Sequence, residues 1–355
     1  MHPNNKVNHM ETKGIYIYGI IPNLYNEEMY RSLANAGIYT IAYQNISAIV
    51  SEREEVYFDF TDREELGQLL VEHQETIEDL TEKGFNMLIP MRLGTIAGTK
   101  EEVIKILANG HALIVDTLKK IENLTEIDLA VTWADFPATI QEIAGHPDIV
   151  TMKADILKNG DTISQIDQIK IGMLLEEKIK EKNKTIELDI LNALSGFCTD
   201  IKTHEVMNDQ MIANSAYLLN RNRKEKFEQV LDRLDEEYKG MLNFKMVGPL
   251  PCYSFYTIEV KELNPEHISE AKKDLGISET TSEAEIKRAY QEKVKEFHPD
   301  INQDNDTLNH FNRIKKAYQT LLDYLEATNI TSKENTISET NERTIENLIL
   351  VRIKE

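Results

Sequence analysis

The chain has 355 residues, 40 Lys plus Arg against 61 Asp plus Glu, and a formal net charge of −21. At about 150 residues per domain, this length provides for two or three domains, and 41% apolar residues suffice for ordinary cores. The acidic excess argues against nucleic acid and anionic membrane surfaces as partners, because phosphate contacts require a surplus of cations. Cys198 and Cys252 are too few and too isolated for a disulfide framework or a metal knuckle, which points to a reducing, cytoplasmic setting. No run approaches the roughly 18 apolar residues of a membrane span. The opening MHPNNKVNHMETK is polar, without a signal-peptide core, and residues 1–12 are read as a disordered N-terminus.

Lys13–Ile20 alternates and is rich in Ile and Tyr, which predicts a strand. Gly37–Tyr43 and Ile46–Ser51 predict two more, joined through Gln44 and Asn45. Thr61-x-x-Glu64 reads as a capping box, opening a helix with the stripe Leu66, Leu69, Leu70, His73, Ile77 and Leu80. Phe85–Pro90 resumes as a strand. Thr99-x-x-Glu102 opens a second helix carrying Val103, Ile106, Leu107, Ile114 and Leu118. The order βαββαβ predicts a ferredoxin-like sandwich over residues 13–124. Arg92 interrupts an apolar stretch, and a buried guanidinium there requires an internal salt bridge.

The same order, with larger insertions, is expected over 125–262. Leu129–Ala134 is strand-like, and 166–201 is helical for long enough to suggest a helical hairpin or coiled-coil arm. Strands at Thr203–Met207 and Ala213–Leu219 precede a helix with Phe227, Val230, Leu231 and Leu234. Asn243–Val247 and Tyr253–Val260 close the half. His73 reads as a satisfied core histidine and Cys198 as a buried thiol. Nothing assembles nucleophile, base and orienter, and no cofactor or metal is implied.

From Asn264 the chain becomes charged and helical. Ser282-x-x-Glu285 is a third capping box, followed by the stripe Ile286, Ala289, Tyr290, Val294 and Phe297. A second stripe holds Phe311, Ile314, Ala317, Tyr318, Leu321 and Leu325. Two such helices pack as an antiparallel hairpin, assigned to 263–327, leaving 328–355 as a mobile tail. That tail ends in the apolar cluster 345–353, and the sequence leaves open whether this cluster docks as a strand.

His298-Pro299-Asp300 lies between the two stripes. Pro299 stops the helix and fixes φ, displaying an imidazole and a carboxylate on a stiff turn suited to a partner's arginine. With Leu275-Gly276-Ile277, Glu285–Tyr290 and Phe311-x-x-Ile314-x-x-Ala317-Tyr318, the stretch from Asp274 to about Glu326 resembles the J domain, the module that stimulates ATP hydrolysis by DnaK-type chaperones. The resemblance implies a DnaK-type chaperone as partner, with contacts from His298, Pro299 and Asp300 assisted by Lys287, Arg288 and Lys293. Two departures stand out. Lys272 occupies a place where the family carries an aromatic packing residue, and the first stripe helix has as many acids as bases. A second copy, His146-Pro147-Asp148, lacks flanking capped helices and reads as an ordinary turn.

Residues 13–262 resemble the gas vesicle protein F/L family. The segments responsible are Gly14–Ile20, Ser47–Ser51, Met87–Thr95, Ala216–Leu219 and Gly248–Phe255. Within them Pro90, Arg92, Gly94, Thr95, Gly248, Pro249, Pro251 and Tyr253 form the family motif and are expected to be structural. Leu93 and Cys252 depart from the phenylalanine and proline common at those places. The expected fold class is α+β: two ferredoxin-like or α+β domains with helical insertions, followed by a small all-α J-domain hairpin. The combined resemblance implies a non-enzymatic gas vesicle assembly or minor structural protein, cytoplasmic and vesicle-associated. Its expected partners are the hydrophobic gas vesicle shell protein, other gas vesicle proteins and the chaperone. The alternatives are a structural component with an inert J-like module, or a small-molecule sensor or enzyme on the ferredoxin-like halves.

Overall fold

The computed structural model describes residues 13–25, 27–34, 36–53, 62–158, 163–277, 282–296, 305–334 and 348–354. They group into two compact units, one from 1–118 with 256–354 and one from 119–255.

In the first unit, β1 (Gly14–Pro22) is buried at every position but Ile15. The reason is its place in the sheet. It is followed by α1 (Glu27–Ala34), β2 (Tyr39–Tyr43), β3 (Ile46–Arg53), α2 (Arg63–Glu82), β4 (Ile89–Pro90), β5 (Ile96–Ala97) and α3 (Lys100–Ile121). The sheet order is β2-β3-β1-β4, antiparallel throughout, with β5 also on β1. That is the ferredoxin-like order, and it leaves β1 with partners on both edges. The β2–β3 hairpin turns at Gln44, whose φ of 51° is unusual without glycine. Asn23 holds the turn: its Nδ2 donates to the Gln44 carbonyl at 2.8 Å and its backbone N–H to the Asn45 carbonyl at 2.9 Å.

Helix α1 fills the first helical place of the expected βαββαβ order, over residues to which the sequence assigns no stripe. The expected cap of α2 at Thr61 is replaced by Asp62, whose Oδ1 accepts from the N–H groups of Glu64 and Glu65. At α3, Thr99 accepts from the Glu102 N–H as expected, but the Glu102 carboxylate takes the Gly98 N–H. The α2 stripe buries Leu69, His73, Ile77 and Leu80, while Leu70 stays 51% exposed.

In the second unit, β6 (Leu124–Trp133), α4 (Phe136–Ala144), α5 (Pro147–Lys158), α6 (Gln165–Ser195), β7 (Cys198–Thr203), β8 (Met211–Asn220), α7 (Lys224–Glu237) and β9 (Leu242–Leu250) follow in order. The sheet order is β7-β8-β6-β9, again antiparallel, which repeats the first unit's second-third-first-fourth arrangement. Ile127, Leu129, Val131 and Trp133 alternate onto one face of β6, packed with Ile186, Ile190 and Leu194 of α6 and Phe227 of α7. The expected hairpin or coiled-coil arm is instead one continuous 31-residue helix, about 46 Å long. Its first half packs through Ile171, Leu174, Leu175 and Ile179 on Ile143 and Ile149 of α4 and α5. His146-Pro147-Asp148 is no ordinary turn, because Pro147 begins α5 and the Val150 N–H donates to the His146 carbonyl at 3.0 Å.

The chain then returns to the first unit with β10 (Thr257–Leu263), α8 (Pro265–Leu275), α9 (Glu283–Glu296), α10 (Asn305–Glu334) and β11 (Leu348–Lys354). The strand expected to close the second half thus begins four residues later and pairs with β11. Part of the segment expected as a mobile tail forms that strand, and α10 runs past residue 327 to Glu334. Leu263, Ile268, Leu275, Ile286, Ile314 and Leu321 share one core with Leu350 of β11.

His73 is 4% exposed, and its Nδ1 lies 2.8 Å from the Tyr16 hydroxyl, with the Tyr18 ring stacked on it. Burial pulls its pKa down to about 4, with Arg53 acting in the same sense and Glu72 opposing. The unfolded chain therefore takes up a proton near pH 6.5 that the folded one refuses until about pH 4. Stability should fall as pH drops through that window, by up to about 3 kcal/mol. His73→Leu should flatten this slope in urea titrations run at stepped pH.

Candidate functional site

His298, Pro299 and Asp300 lie outside the described residues, so the site is built from the helices on either side. Ser282 and Glu285 make the expected capping box: Ser282 N–H donates to Glu285 Oε2 at 2.9 Å and Glu285 N–H to Ser282 Oγ at 3.4 Å. The Ser282 N–H and hydroxyl, both donating to Glu285 Oε2, hold its carboxyl below the ordinary pKa. Ile286 is 1% exposed, and the Tyr290 ring stacks on Tyr318 of α10 at 4.2 Å, which fixes the rotation of α9. Lys287 and Arg288 consequently face outward and Lys293 is half-buried. Interleaved with them are Glu283, Glu285 and Glu292, so this surface is zwitterionic rather than basic.

Lys272 packs despite its charge, with Nζ 5.5 Å from the centre of the Tyr324 ring, so a cation–π contact stands where the J-domain pattern carries an aromatic packing residue. Arg313 of α10 grips Asp274 at the end of α8, its Nε donating at 2.7 Å. Charge and ring contacts thus tie all three helices together.

Pro90, Arg92, Gly94 and Thr95 belong to the first unit. Pro90 is buried opposite Gly19. Arg92 is not the buried cation expected from sequence: its side chain is 65% exposed, since the apolar strand ends at Pro90. The expected salt bridge does form, to Glu259 of β10, and the Arg92 N–H donates to the Ile258 carbonyl at 2.8 Å. Gly94 turns the chain at φ 79° and Thr95 Oγ1 donates to the Arg92 carbonyl at 2.5 Å. These residues build a turn that seats β10 beside β4.

Gly248, Pro249, Pro251 and Tyr253 belong to the second unit. Gly248 has φ 141°, and a Cβ there would stand 2.9 Å from the Glu126 carbonyl, so only glycine fits. The Gly248–Pro249 bond is cis. Tyr253 N–H donates to the Pro251 carbonyl at 2.7 Å, closing the turn.

That turn lies against a polar pair on β6. Glu126 and Asp128 occupy the face of β6 opposite its apolar stripe, and Glu126 is 1% exposed. Ser254 donates its N–H and its hydroxyl to the two Glu126 oxygens, each at 2.8 Å. His204 Nε2 stands 3.4 Å from the same hydroxyl. Burial, then the neighbouring Asp128 carboxylate, push the Glu126 pKa up to about 8 against the pull of Ser254. Burial raises Asp128 as well. The sequence carries no local signal for this burial, because acids alternating with an apolar stripe are the ordinary pattern of a solvent-facing strand face. With its proton engaged by Glu126, Ser254 acts as a clasp on the turn rather than as a nucleophile. Cys198 is half-buried, with Sγ donating to the Leu194 carbonyl at 3.2 Å. Burial raises its thiol, and that of Cys252, to about 12.

Among the described residues no group of three or more His, Cys, Asp or Glu is arranged to hold a metal ion. No helix among them is long and apolar enough to cross a membrane.

Because folded Glu126 keeps its proton to about pH 8 while the unfolded chain loses it near 4.5, its contribution to stability should decline as pH rises between those values. Glu126→Gln should abolish that decline and melt at a higher temperature than the parent at pH 8, with little difference near pH 4.5.

A family model described as gas vesicle synthesis protein GvpL/GvpF matches residues 14–257, and a DnaJ domain model matches 273–327. Gas vesicle protein F of Nostoc sp. (strain PCC 7120) is 22% identical over 249 residues, covering 70% of this chain and 99% of that protein. Chaperone protein DnaJ of Geobacillus sp. (strain WCH70) is 44% identical over 57 residues, covering 15% of each chain. The crystal structure of gas vesicle protein GvpF from Anabaena sp. PCC7120 superimposes with a TM-score of 0.57 at 21% identity, over 68% of this chain and 97% of that one. The α+β fold of that structure is therefore the fold of this one. With two-thirds of its length inside one family model, and α9 with most of α10 inside another, the chain belongs to the gas vesicle synthesis protein GvpL/GvpF family and carries a DnaJ domain behind the family region.

Proposed function

We propose that this protein is a non-enzymatic gas vesicle assembly factor that binds the hydrophobic shell protein and delivers it to a DnaK-type chaperone through its J domain. The observation that carries the reading is the fusion: a GvpL/GvpF region at 14–257 continues in one chain into a DnaJ domain at 273–327. The physical need is plain, since apolar, β-prone subunits aggregate unless shielded before they assemble. The acidic surface keeps such complexes soluble, and the setting is the cytoplasm beside the forming vesicle. His298, Pro299 and Asp300 are the proposed trigger, with Lys287, Arg288 and Lys293 at the contact. The outward placement of Lys287 and Arg288 supports this assignment.

Asp300→Ala removes a carboxylate from a charge-assisted bond worth about 1.5–3 kcal/mol, so chaperone affinity should drop roughly ten- to a hundredfold. His298→Gln should abolish stimulation of the chaperone's ATP turnover. In a pull-down from cells making gas vesicles, the intact protein should recover both shell protein and chaperone, and the His298→Gln form the shell protein alone. Unchanged ATP turnover with retained shell protein favours the purely structural reading; loss of both partners from the intact form overturns the proposal.

A further inference from the structure

The seven residues of β11 touch β10, α3 and the J-domain helices at once. Their backbone pairs along the whole of β10, from Thr257 opposite Lys354 to Leu263 opposite Leu348. Side chains alternate between two surfaces, as a strand requires. On one face, Leu350 is 1% exposed in the core of α8, α9 and α10, with Leu348 packed beside it. On the other, Val351 meets α3, where a Cβ on Gly110 would come within 2.6 Å of Val351 Cγ1. Next to it Asn109 Nδ2 donates to the Ile349 carbonyl at 3.0 Å. The strand is thus the middle layer between α3 and the J-domain helices.

Its polar residue is placed with the same economy. Arg352 reaches Asp323 of α10 at 2.9 Å, Glu259 of β10 at 3.2 Å and Glu326 at 3.8 Å. Asp323 is 4% exposed and also receives Lys261 Nζ at 3.0 Å. Glu259 bridges further to Arg92. Yet among the described residues β11 pairs with β10 alone, so its other strand edge carries no ladder.

We infer that the trough between β10, α3 and α10 is a strand-binding site for an extended apolar peptide with arginine in its fifth position, and that residues 348–354 are its resident, displaceable occupant. Main-chain bonds to β10 supply affinity for any extended segment, while the Gly110 notch and the Asp323–Glu259–Glu326 carboxylates select the sequence. Residues 348–354 are then a detachable clamp between the J-domain helices and the ferredoxin-like domain. This holds whether or not the chaperone reading does.

The test uses the full chain and a fluorescent peptide of sequence LILVRIK. Arg352→Glu loosens the resident strand, so this variant should bind the peptide roughly tenfold or more tightly than the parent, whose trough is filled. A peptide with glutamate for its arginine should not bind. Gly110→Ala supplies a second route: alanine for glycine ordinarily strengthens a helix, but here it should eject the strand and raise hydrogen exchange across 348–354. Val351→Ala in the same chain should restore protection. Equal peptide binding by parent and by folded Arg352→Glu, or unchanged exchange in Gly110→Ala, overturns the inference.

Discussion

The architecture rests on a strand that must be paired on both edges. In each ferredoxin-like motif the first strand lies between the third and the fourth, so β1 and β6 sit inside their sheets with no free edge. The consequences differ between units. β1 is buried on both faces and reads as an unbroken apolar run. β6 buries one face against α6 and α7 and turns Glu126 and Asp128 to the other. An antiparallel sheet can leave such a face to water, but Glu126 is buried there, and the 248–255 turn brings Ser254 to it with two donors. The glycine and prolines of that motif shape a lid over a buried acid pair.

The first unit meets the same demand with less material. β4 and β5 give β1 two residues each, and the intervening turn at Arg92–Thr95 recruits β10 through the Ile258 carbonyl. That recruitment joins the J domain to the first unit. β10 leads directly into α8, and the three helices build their core on Leu263 of β10 and Leu350 of β11. A J domain tethered by a linker samples many orientations; one whose core incorporates strands of its host moves with that host.

Most of the elements were legible because their signals are local. The Ser282 capping box and the α3 stripe each lie within one helix and are found where the residues put them, and the strand expected over Leu129–Ala134 is the second half of β6. The misreadings involve competition between neighbours or distant partners. Thr61 and Asp62 both suit an N-cap, and the carboxylate took the role. Arg92 follows an apolar run but lies just beyond its last paired residue, so its exposure depends on where the ladder to β1 stops. α4 and α5 are short, and their apolar residues answer to α6 rather than to a sheet. The fate of 348–354 could not be read locally at all, since an apolar heptapeptide pairs with whatever edge the fold leaves open.

Charge decides how the J domain can work under the proposed function. With a net charge of −21 the chain creates a repulsive field for an acidic partner, and on α9 the four bases are matched by four acids. Long-range steering toward such a partner is therefore weaker than a basic helix would give, and association depends more on orientation. Specificity then falls on contacts made after encounter, where a bidentate carboxylate–arginine pair depends on geometry more than on field. Such geometry improves as the helices presenting it are held more firmly. Tyr290 on Tyr318, Arg313 on Asp274 and Arg352 on Asp323 all act to that end, so a module poor in steering charge is rich in the contacts that fix its pose.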